Sequence, residues 1–149
     1  MNTLLLNIER RIATITLNRP EKLNSFNHKL VSELTQVLHE LDKNKDVHVI
    51  IIKGAGRCFG SGYDITPSDK PYTTVEEWRK EAVDSNVMMY GVWDNCKPVI
   101  AQVHGYCFGG ACDLLMCCDL AICSEDALFS VPEIQFNSHP SMLIMPYTM

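Results

Sequence analysis

Residues 49–65 read VIIIKGAGRCFGSGYDI, and residues 99–114 read VIAQVHGYCFGGACDL. Each stretch begins with an apolar run typical of a buried strand, and each run leads into a glycine-rich turn. The pattern Cys-Phe-Gly-x-x-x-Asp occurs at Cys58 and again forty-nine positions later at Cys107. A repeat of this period, in the same context after a strand, predicts an α/β spiral of strand–strand–helix units. Two equivalent turns would bring two sets of backbone N–H groups to one region.

The first half of the chain alternates strands and helices as such a spiral requires. Residues 3–9 and 12–18 predict a hairpin, and residues 47–53 predict a buried strand. Apolar residues at helical spacing predict a helix over 27–42, with Asn24 and Ser25 as N-cap candidates.

A second helix is predicted after the first glycine-rich turn. Thr73 and Thr74 each have a glutamate three residues on, which is the capping-box pattern, and the helix is expected to end at about Asn95. Its expected apolar face consists of Trp78, Ala82, Ser85, Met89 and Val92. The remaining predicted elements are strands over 98–105, 120–124 and 127–131 and a short apolar helix from Gly110 to near Asp119.

The composition is that of an ordinary globular domain. The 149 residues are 46% hydrophobic and 21% charged, which excludes a disordered tail or a fibre, and the length predicts one domain over residues 1–149. Eighteen acidic against thirteen basic residues, with no basic cluster, argue against nucleic acid as a partner. No apolar run is long enough to predict a membrane span. Seven cysteines, four of them between Cys112 and Cys123, favour a reducing compartment, and we expect a cytoplasmic protein.

Spacing disfavours four other functions. In residues 54–60 the last glycine lies one residue too far along for the dinucleotide fingerprint, and no Gly-Lys-Ser/Thr follows as a P-loop requires. A nucleophile elbow has glycine two positions before and two positions after the serine, and around Ser61 those positions hold Phe59 and Tyr63. The cysteines from Cys112 to Cys123 have spacings unlike those of zinc sites, so no metal site is predicted.

The two turns suit a carbonyl oxygen that gains negative charge. Backbone N–H groups in tight glycine turns stabilise such an oxygen, above all where one of them begins a helix, as expected near Gly110. Asp113, one turn into that helix, and Glu133, after the last strand, are carboxylates that could transfer protons. The pattern predicts an oxyanion site with acid–base chemistry beside it.

Three segments resemble the enoyl-CoA hydratase/isomerase family, also called the crotonase superfamily. They are IATITLNRPEKLNSF, VIIIKGAGRCFGSGYDI and KPVIAQVHGYCFGGACDLLMCCDLAICSEDALFSVPE, in that order, and the resemblance covers essentially the whole chain. It implies a crotonase-like spiral, C-terminally truncated because family members continue with further helices. It also implies an acyl-CoA thioester as partner, no cofactor besides the coenzyme A of the substrate, and a homo-oligomer, either a trimer or a hexamer. The apolar segment 142–145 likewise favours self-association over a stable monomer.

The resemblance assigns roles to individual residues. The oxyanion donors would be the backbone N–H groups of Tyr63 and Gly110, and the catalytic carboxylates would be Asp113 and Glu133. The residues expected to bind the substrate are Lys22, near the family's Arg-Pro motif, Ser61, Tyr63, Asp64, Ile65, Thr66 and Gly110.

The carboxylates leave the reaction open. The family's hydratases use two glutamates, whereas its dienoyl-CoA isomerases resemble this chain in having aspartate first and glutamate second. Those isomerases carry a further aspartate where this chain has Ser141, and the segment 137–141 lacks the glycines usual in the family. The favoured function is enoyl-CoA hydratase, and the alternative is a double-bond isomerase acting on enoyl-CoA or dienoyl-CoA. An alternative of another class is an inactive acyl-CoA-binding or assembly subunit.

Overall fold

The computed structural model describes residues 2–66 and 73–136. The predictions that concern Ser141 and the segments 137–141 and 142–145 therefore lie outside the described residues. In chain order the elements are β1 (Leu4–Glu9), β2 (Ile12–Leu17), α1 (His28–Lys43), β3 (Val49–Gly54), α2 (Val75–Trp93), β4 (Val99–Val103), β5 (Tyr106–Phe108), α3 (Gly110–Met116), β6 (Leu120–Cys123) and β7 (Leu128–Ser130). Short 3-10 turns lie at Pro20–Lys22 and Glu133–Phe136.

The main sheet has five strands in the order β1-β2-β3-β4-β6. β1 and β2 form the predicted antiparallel hairpin, and β2, β3, β4 and β6 run parallel. The residues Ile15, Ile52 and Ala101, from three successive strands, are fully buried. Because the carboxyl ends of parallel strands meet at one edge of the sheet, the turns after β3 and β4 emerge side by side.

α1 confirms the predicted helix, but its N-cap is Asn27, whose side chain accepts a hydrogen bond from Leu30 N. The prediction that Asn24 or Ser25 caps this helix is wrong. Asn24 is buried with φ of +54°, and its amide donates to Ala55 O and Cys58 O at 2.8 and 2.9 Å. Its side chain therefore binds the turn after β3 and cannot reach the helix.

α2 begins with the predicted capping box, in which Thr74 and Glu77 bond each other's backbone N–H groups. Its buried face consists of Ser85, Met88, Met89 and Val92. The expected face is wrong at its beginning, because Trp78 is 61% exposed and Ala82 is also exposed. All residues from 75 to 80 are exposed, so the first turns of α2 extend past the core that its later turns cover.

A second, two-stranded sheet pairs β5 with β7 in parallel. An isolated bridge between Gly60 and Cys107 links the first repeat to this sheet. The main-sheet strand followed by a glycine-rich turn thus recurs in both copies, and in the second copy β5 and α3 follow directly.

Three further features concern membranes, disulfides and metals. Within the described residues, no helix is both long and apolar enough to cross a membrane. All seven cysteines are free thiols. No cluster of His, Cys, Asp and Glu suited to a metal occurs in residues 2–66 and 73–136.

Candidate active site

The two glycine-rich turns lie against each other through backbone hydrogen bonds. Gly60 N donates to Tyr106 O, and Phe108 N donates to Gly60 O, each at 3.0 Å. Phe59 N donates to His104 O at 2.8 Å. His104 itself bonds Gly56 O through its ring at 2.9 Å, which makes it a structural residue of the same contact. The expectation that the two turns share one region is confirmed.

The closest approach involves Gly62 and the first turn of α3. Gly62 has φ of +85°, and a Cβ there would lie 2.8 Å from Phe108 O and 2.9 Å from Gly110 N. Only glycine allows both this conformation and this contact. The Gly62–Tyr63 peptide therefore lies beside the N-terminus of α3.

The hydrogen bonds around Tyr63 fix the direction of its N–H group. Phe26 N donates to Gly62 O at 2.8 Å, and Asp64 N donates to Phe26 O at 3.0 Å. In such a parallel bridge, the N–H of the intervening residue points away from the partner strand. The N–H of Tyr63 therefore points away from Phe26. Gly110 is the first residue of α3, so its N–H has no intrahelical acceptor.

The ring of Tyr63 packs over the backbone of Gly110. A Cβ on Gly110 would lie 2.5 Å from Tyr63 Cε2, so the ring occupies the space that any larger residue needs. On its other side the ring meets Phe26 edge-on, with the ring centroids 5.7 Å apart. The two proposed donor residues are thus in direct contact.

Asp113 lies in the first turn of α3 and is 3% exposed. Its N–H donates to Gly109 O at 3.2 Å, which places the residue one turn after the glycine pair. The pKa of the neighbouring Cys117 thiol is raised to about 12, first by burial and then by the negative charge of Asp113.

Glu133 reaches the same glycine pair from the turn after β7. A Cβ on Gly109, whose φ is +55°, would lie 3.0 Å from Glu133 Oε1. The other carboxylate oxygen, Oε2, is buried and has no hydrogen-bond partner among the described residues. An unpartnered buried carboxylate oxygen is costly in a folded protein, so it is a feature to be explained by function. Asp113 and Glu133 therefore flank Gly109 from two different elements.

The remaining predicted substrate-binding residues form the outer part of this region. Ser61 N donates to Leu23 O at 3.0 Å, so the turn that carries the exposed Lys22 lies beside the first glycine-rich turn. Ile65 is 76% exposed, and Thr66 is also exposed.

Asp64 differs from these neighbours because its carboxylate is fully engaged. It accepts a bond from Arg19 at 2.9 Å and one from Thr66 N at 3.1 Å. Burial alone would raise the pKa of Asp64, but the hydrogen bonds from Thr66 and Arg19 outweigh it and lower the pKa to about 2. Asp64 is therefore ionised at neutral pH.

Comparison with known proteins identifies the family. The model of the enoyl-CoA hydratase/isomerase family matches residues 7–149. The chain belongs to this family. It is 35% identical over 141 residues to the short-chain-enoyl-CoA hydratase of Clostridium acetobutylicum, which covers 94% of this chain and 53% of that protein. It is 31% identical over 138 residues to the mitochondrial Delta(3,5)-Delta(2,4)-dienoyl-CoA isomerase of Mus musculus, covering 87% of this chain and 42% of that protein.

Solved structures of the enoyl-CoA hydratase/isomerase family give the same assignment. The chain is similar to an enoyl-CoA hydratase/isomerase from Xanthobacter autotrophicus Py2, with a TM-score of 0.90 at 31% identity over 97% of this chain and 54% of that one. The predicted family and its α/β fold are thereby confirmed. The chain spans about half the length of the curated relatives it matches.

Sequence reasoning missed one residue of this enoyl-CoA hydratase/isomerase family member. The guanidinium of Arg19 bonds Ser25 O at 2.6 Å and Asp64 Oδ2 at 2.9 Å, and it links the turn before α1 to the segment after Gly62. The available signal was an arginine placed directly before Pro20 in a polar turn, within one of the segments that carry the family resemblance. Spacing alone offered no partner for it, since Asp64 is forty-five positions away.

Proposed function

We propose that this chain binds an acyl-CoA thioester and adds water across the double bond of a 2-enoyl-CoA. The backbone N–H groups of Tyr63 and Gly110 hold the thioester oxygen as enolate character develops. Their support is the contact between Gly62 and the first turn of α3, together with the membership of the family. Each such donor contributes about 3–4 kcal/mol to lowering a barrier of this kind.

The single observation that carries the acid–base part is the carboxylate of Glu133. Its Oε1 lies against Gly109, and its Oε2 is buried without a hydrogen-bond partner in the described part of the chain. That oxygen is ready to accept a proton or to orient a water at the oxyanion site. Asp113, buried one turn into α3, is the second carboxylate of the pair, and together they position water and move the proton.

The outer residues bind the coenzyme A portion in this proposal. Lys22 is exposed beside the first glycine-rich turn and carries a charge suited to phosphate, while Ser61, Ile65 and Thr66 line the thioester. Asp64 contributes through its backbone, because its carboxylate is bound by Arg19 and Thr66. No cofactor beyond the coenzyme A of the substrate enters the reaction, which we place in the cytoplasm.

A double-bond isomerase is the second candidate. It is favoured by aspartate rather than glutamate at position 113 and by the similarity to the mouse dienoyl-CoA isomerase. In that reaction one carboxylate moves a proton between two carbons of the acyl chain, and no water is added.

One experiment separates the candidates. The purified chain is incubated separately with crotonyl-CoA, with a 3-enoyl-CoA and with a 3,5-dienoyl-CoA, and both water addition and bond migration are followed. We expect water addition to crotonyl-CoA, which Glu133→Gln slows by about 10²–10⁴-fold while thioester binding persists. Bond migration without hydration would establish the isomerase, and thioester binding without either reaction would establish a non-catalytic acyl-CoA-binding subunit.

We also propose that the chain assembles as a homo-oligomer. β6 and β7 expose four large apolar side chains, and exposed apolar surface favours contact with another chain. They are Leu120 (60%), Ile122 (64%), Leu128 (56%) and Phe129 (50%). Sedimentation at low micromolar concentration tests the assembly, and a compact monomer with no dye-accessible apolar patch would refute it.

A further inference from the structure

Arg19 bridges two segments that are far apart in the sequence. One arm of its guanidinium donates to Ser25 O at 2.6 Å and to Ser25 Oγ at 3.2 Å, and the other donates to Asp64 Oδ2 at 2.9 Å. Its backbone is held by Asn24, whose side chain accepts from Arg19 N at 3.0 Å. The planar guanidinium is suited to this double contact, whereas a lysine ammonium is not.

The bridge acts on the segment that carries the Tyr63 donor. Residues 61–64 are bonded along one side to residues 23–26, through Ser61 N to Leu23 O, Phe26 N to Gly62 O and Asp64 N to Phe26 O. Arg19 closes this ladder at its far end, because it joins Ser25 to the side chain of Asp64. The direction of the Tyr63 N–H depends on this ladder.

The ion pair is more enclosed than its place on a turn suggests. The side chains of Arg19 and Asp64 are only 13% and 15% exposed. For a pair this enclosed, desolvation offsets much of the Coulombic attraction, so stability alone is a weak reason for it. The clearer effect is on position, because the three directional bonds to Ser25 and Asp64 hold the guanidinium of Arg19 between the two segments.

We propose that Arg19 is a positioning residue for the reaction proposed above: through Asp64 it sets the direction of the Tyr63 N–H that holds the thioester oxygen. Arg19 does not touch the substrate. This inference rests on the proposed function, because it concerns one donor of the same oxyanion site.

The kinetic test uses Arg19→Gln, Asp64→Asn and the double variant, assayed well below their melting temperatures. Since small misplacements of reacting groups lower rates steeply, we expect kcat to fall about 10- to 100-fold in each single variant with KM changed less than about threefold. The double variant should be no slower than the slower single variant, because both changes break one bridge. Arg19→Lys keeps the positive charge but lacks the two donor arms of the guanidinium, so its kcat should lie between that of Arg19→Gln and that of the wild type. Arg10→Gln is the matched control, because Arg10 forms an exposed ion pair with Glu9 on the β1–β2 turn.

A spectroscopic readout separates positioning from a loss of folded protein. A cinnamoyl-CoA thioester absorbs at longer wavelength when its carbonyl is polarised. The red shift per bound molecule therefore measures how strongly the N–H donors polarise the carbonyl, independently of turnover. We expect the wild-type shift in Arg10→Gln and a smaller shift in Arg19→Gln and Asp64→Asn.

The possible outcomes are distinguishable. If the wild-type chain shifts the thioester spectrum and Arg19→Gln retains both the full shift and the full kcat, the positioning role is overturned while the proposed function stands. An Arg19→Gln variant that loses only thermal stability overturns the positioning role in the same way. If the wild-type chain neither shifts the spectrum nor turns over enoyl-CoA, the proposed function fails first and the positioning role with it.

Discussion

The two copies of the Cys-Phe-Gly-x-x-x-Asp pattern take different conformations after their glycines. In the first copy, residues 61–64 stay extended and pair with residues 23–26. In the second copy, Gly110 begins α3, and the corresponding aspartate lies in the first turn of that helix. One turn thus presents an N–H from an extended segment, and the other presents one from a helix N-terminus.

The aspartates show what this difference means. Asp64 is bound by Arg19 and Thr66 and holds the backbone in place, whereas Asp113 is buried within one turn of Gly109, near Glu133. Local sequence contributes to the divergence, since Thr66 precedes a proline, which disfavours helix, while the residues 114–116, Leu-Leu-Met, are good helix formers. The repeated motif therefore places its N–H groups in two different backbone conformations and its aspartates in two different environments.

The largest expected effect follows from the carboxylates beside the second copy, Asp113 within it and Glu133 from the turn after β7. Glu133→Gln and Asp113→Asn should each lower kcat by about 10²–10⁴-fold, because each removes an acid–base group, while thioester affinity changes little. Turnover and calorimetric binding measure this, and unchanged melting temperatures serve as the control. Near-normal rates in both variants would show that neither Glu133 nor Asp113 has a chemical role.

The second effect concerns the close approach of the two turns. Gly62→Ala should destabilise the protein by about 2–4 kcal/mol, because it strains a positive φ and places a Cβ against Phe108 O and Gly110 N. Urea unfolding measures the change. Gly91→Ala, inside α2, is the matched control. Its Cβ would lie in ordinary van der Waals contact with Leu38 Cδ1, at 3.6 Å, so we expect about 0.5–1 kcal/mol of added stability.

A substitution at Gly109 can be compared with the one at Gly62. There an added Cβ meets the end of the Glu133 side chain at 3.0 Å and not a backbone atom. Gly109→Ala strains a φ of +55°, and its Cβ would also displace the carboxylate, so turnover should fall by more than the loss of stability explains. In Gly62→Ala the loss of stability should be the main effect. Equal ratios of lost rate to lost stability in the two variants would contradict this distinction.

A third effect concerns the ionisation of Asp64, the aspartate of the first copy. The pKa of Asp64 is lowered from 3.8 to about 2 in the folded protein, so the ionised carboxylate stabilises the folded protein, and this stabilisation is fully present above pH ~4. It is lost as the pH falls through about 2. Urea unfolding of the wild type and Asp64→Asn at pH 7 and pH 3 should show a gap in stability that narrows at the lower pH. A gap independent of pH would mean that ionisation of Asp64 is not what stabilises the first turn.

The smallest effect lies outside both turns and calibrates the others. Asn27→Ala removes the side chain that caps α1 and should lower stability by about 1 kcal/mol without changing kcat. Thermal melts and initial rates check this. A fall in kcat here would show that rate losses at the glycine turns partly reflect global stability.

The sequence by itself determined much of this protein. Apolar spacing located α1, the strand alternation located the hairpin, and Thr74 with Glu77 marked the start of α2. The repeat at Cys58 and Cys107 indicated that two glycine turns lie together, and the contact of Gly60 with Cys107 agrees. These features could be predicted because each depends on neighbours within a few positions or on a pattern that the chain repeats.

Only the tertiary structure decided which long-range partners the site residues have. Asn24 turned out to bind the backbone of the turn after β3, and Trp78 lies beyond the edge of the core although its spacing matches the buried face. Arg19 meets Asp64 across forty-five positions, and Glu133 reaches Gly109 from another element. Helical and strand periodicity specifies which face of an element is apolar but not how far that face is covered. A contact between distant residues forms only once the sheet has closed the loops between them.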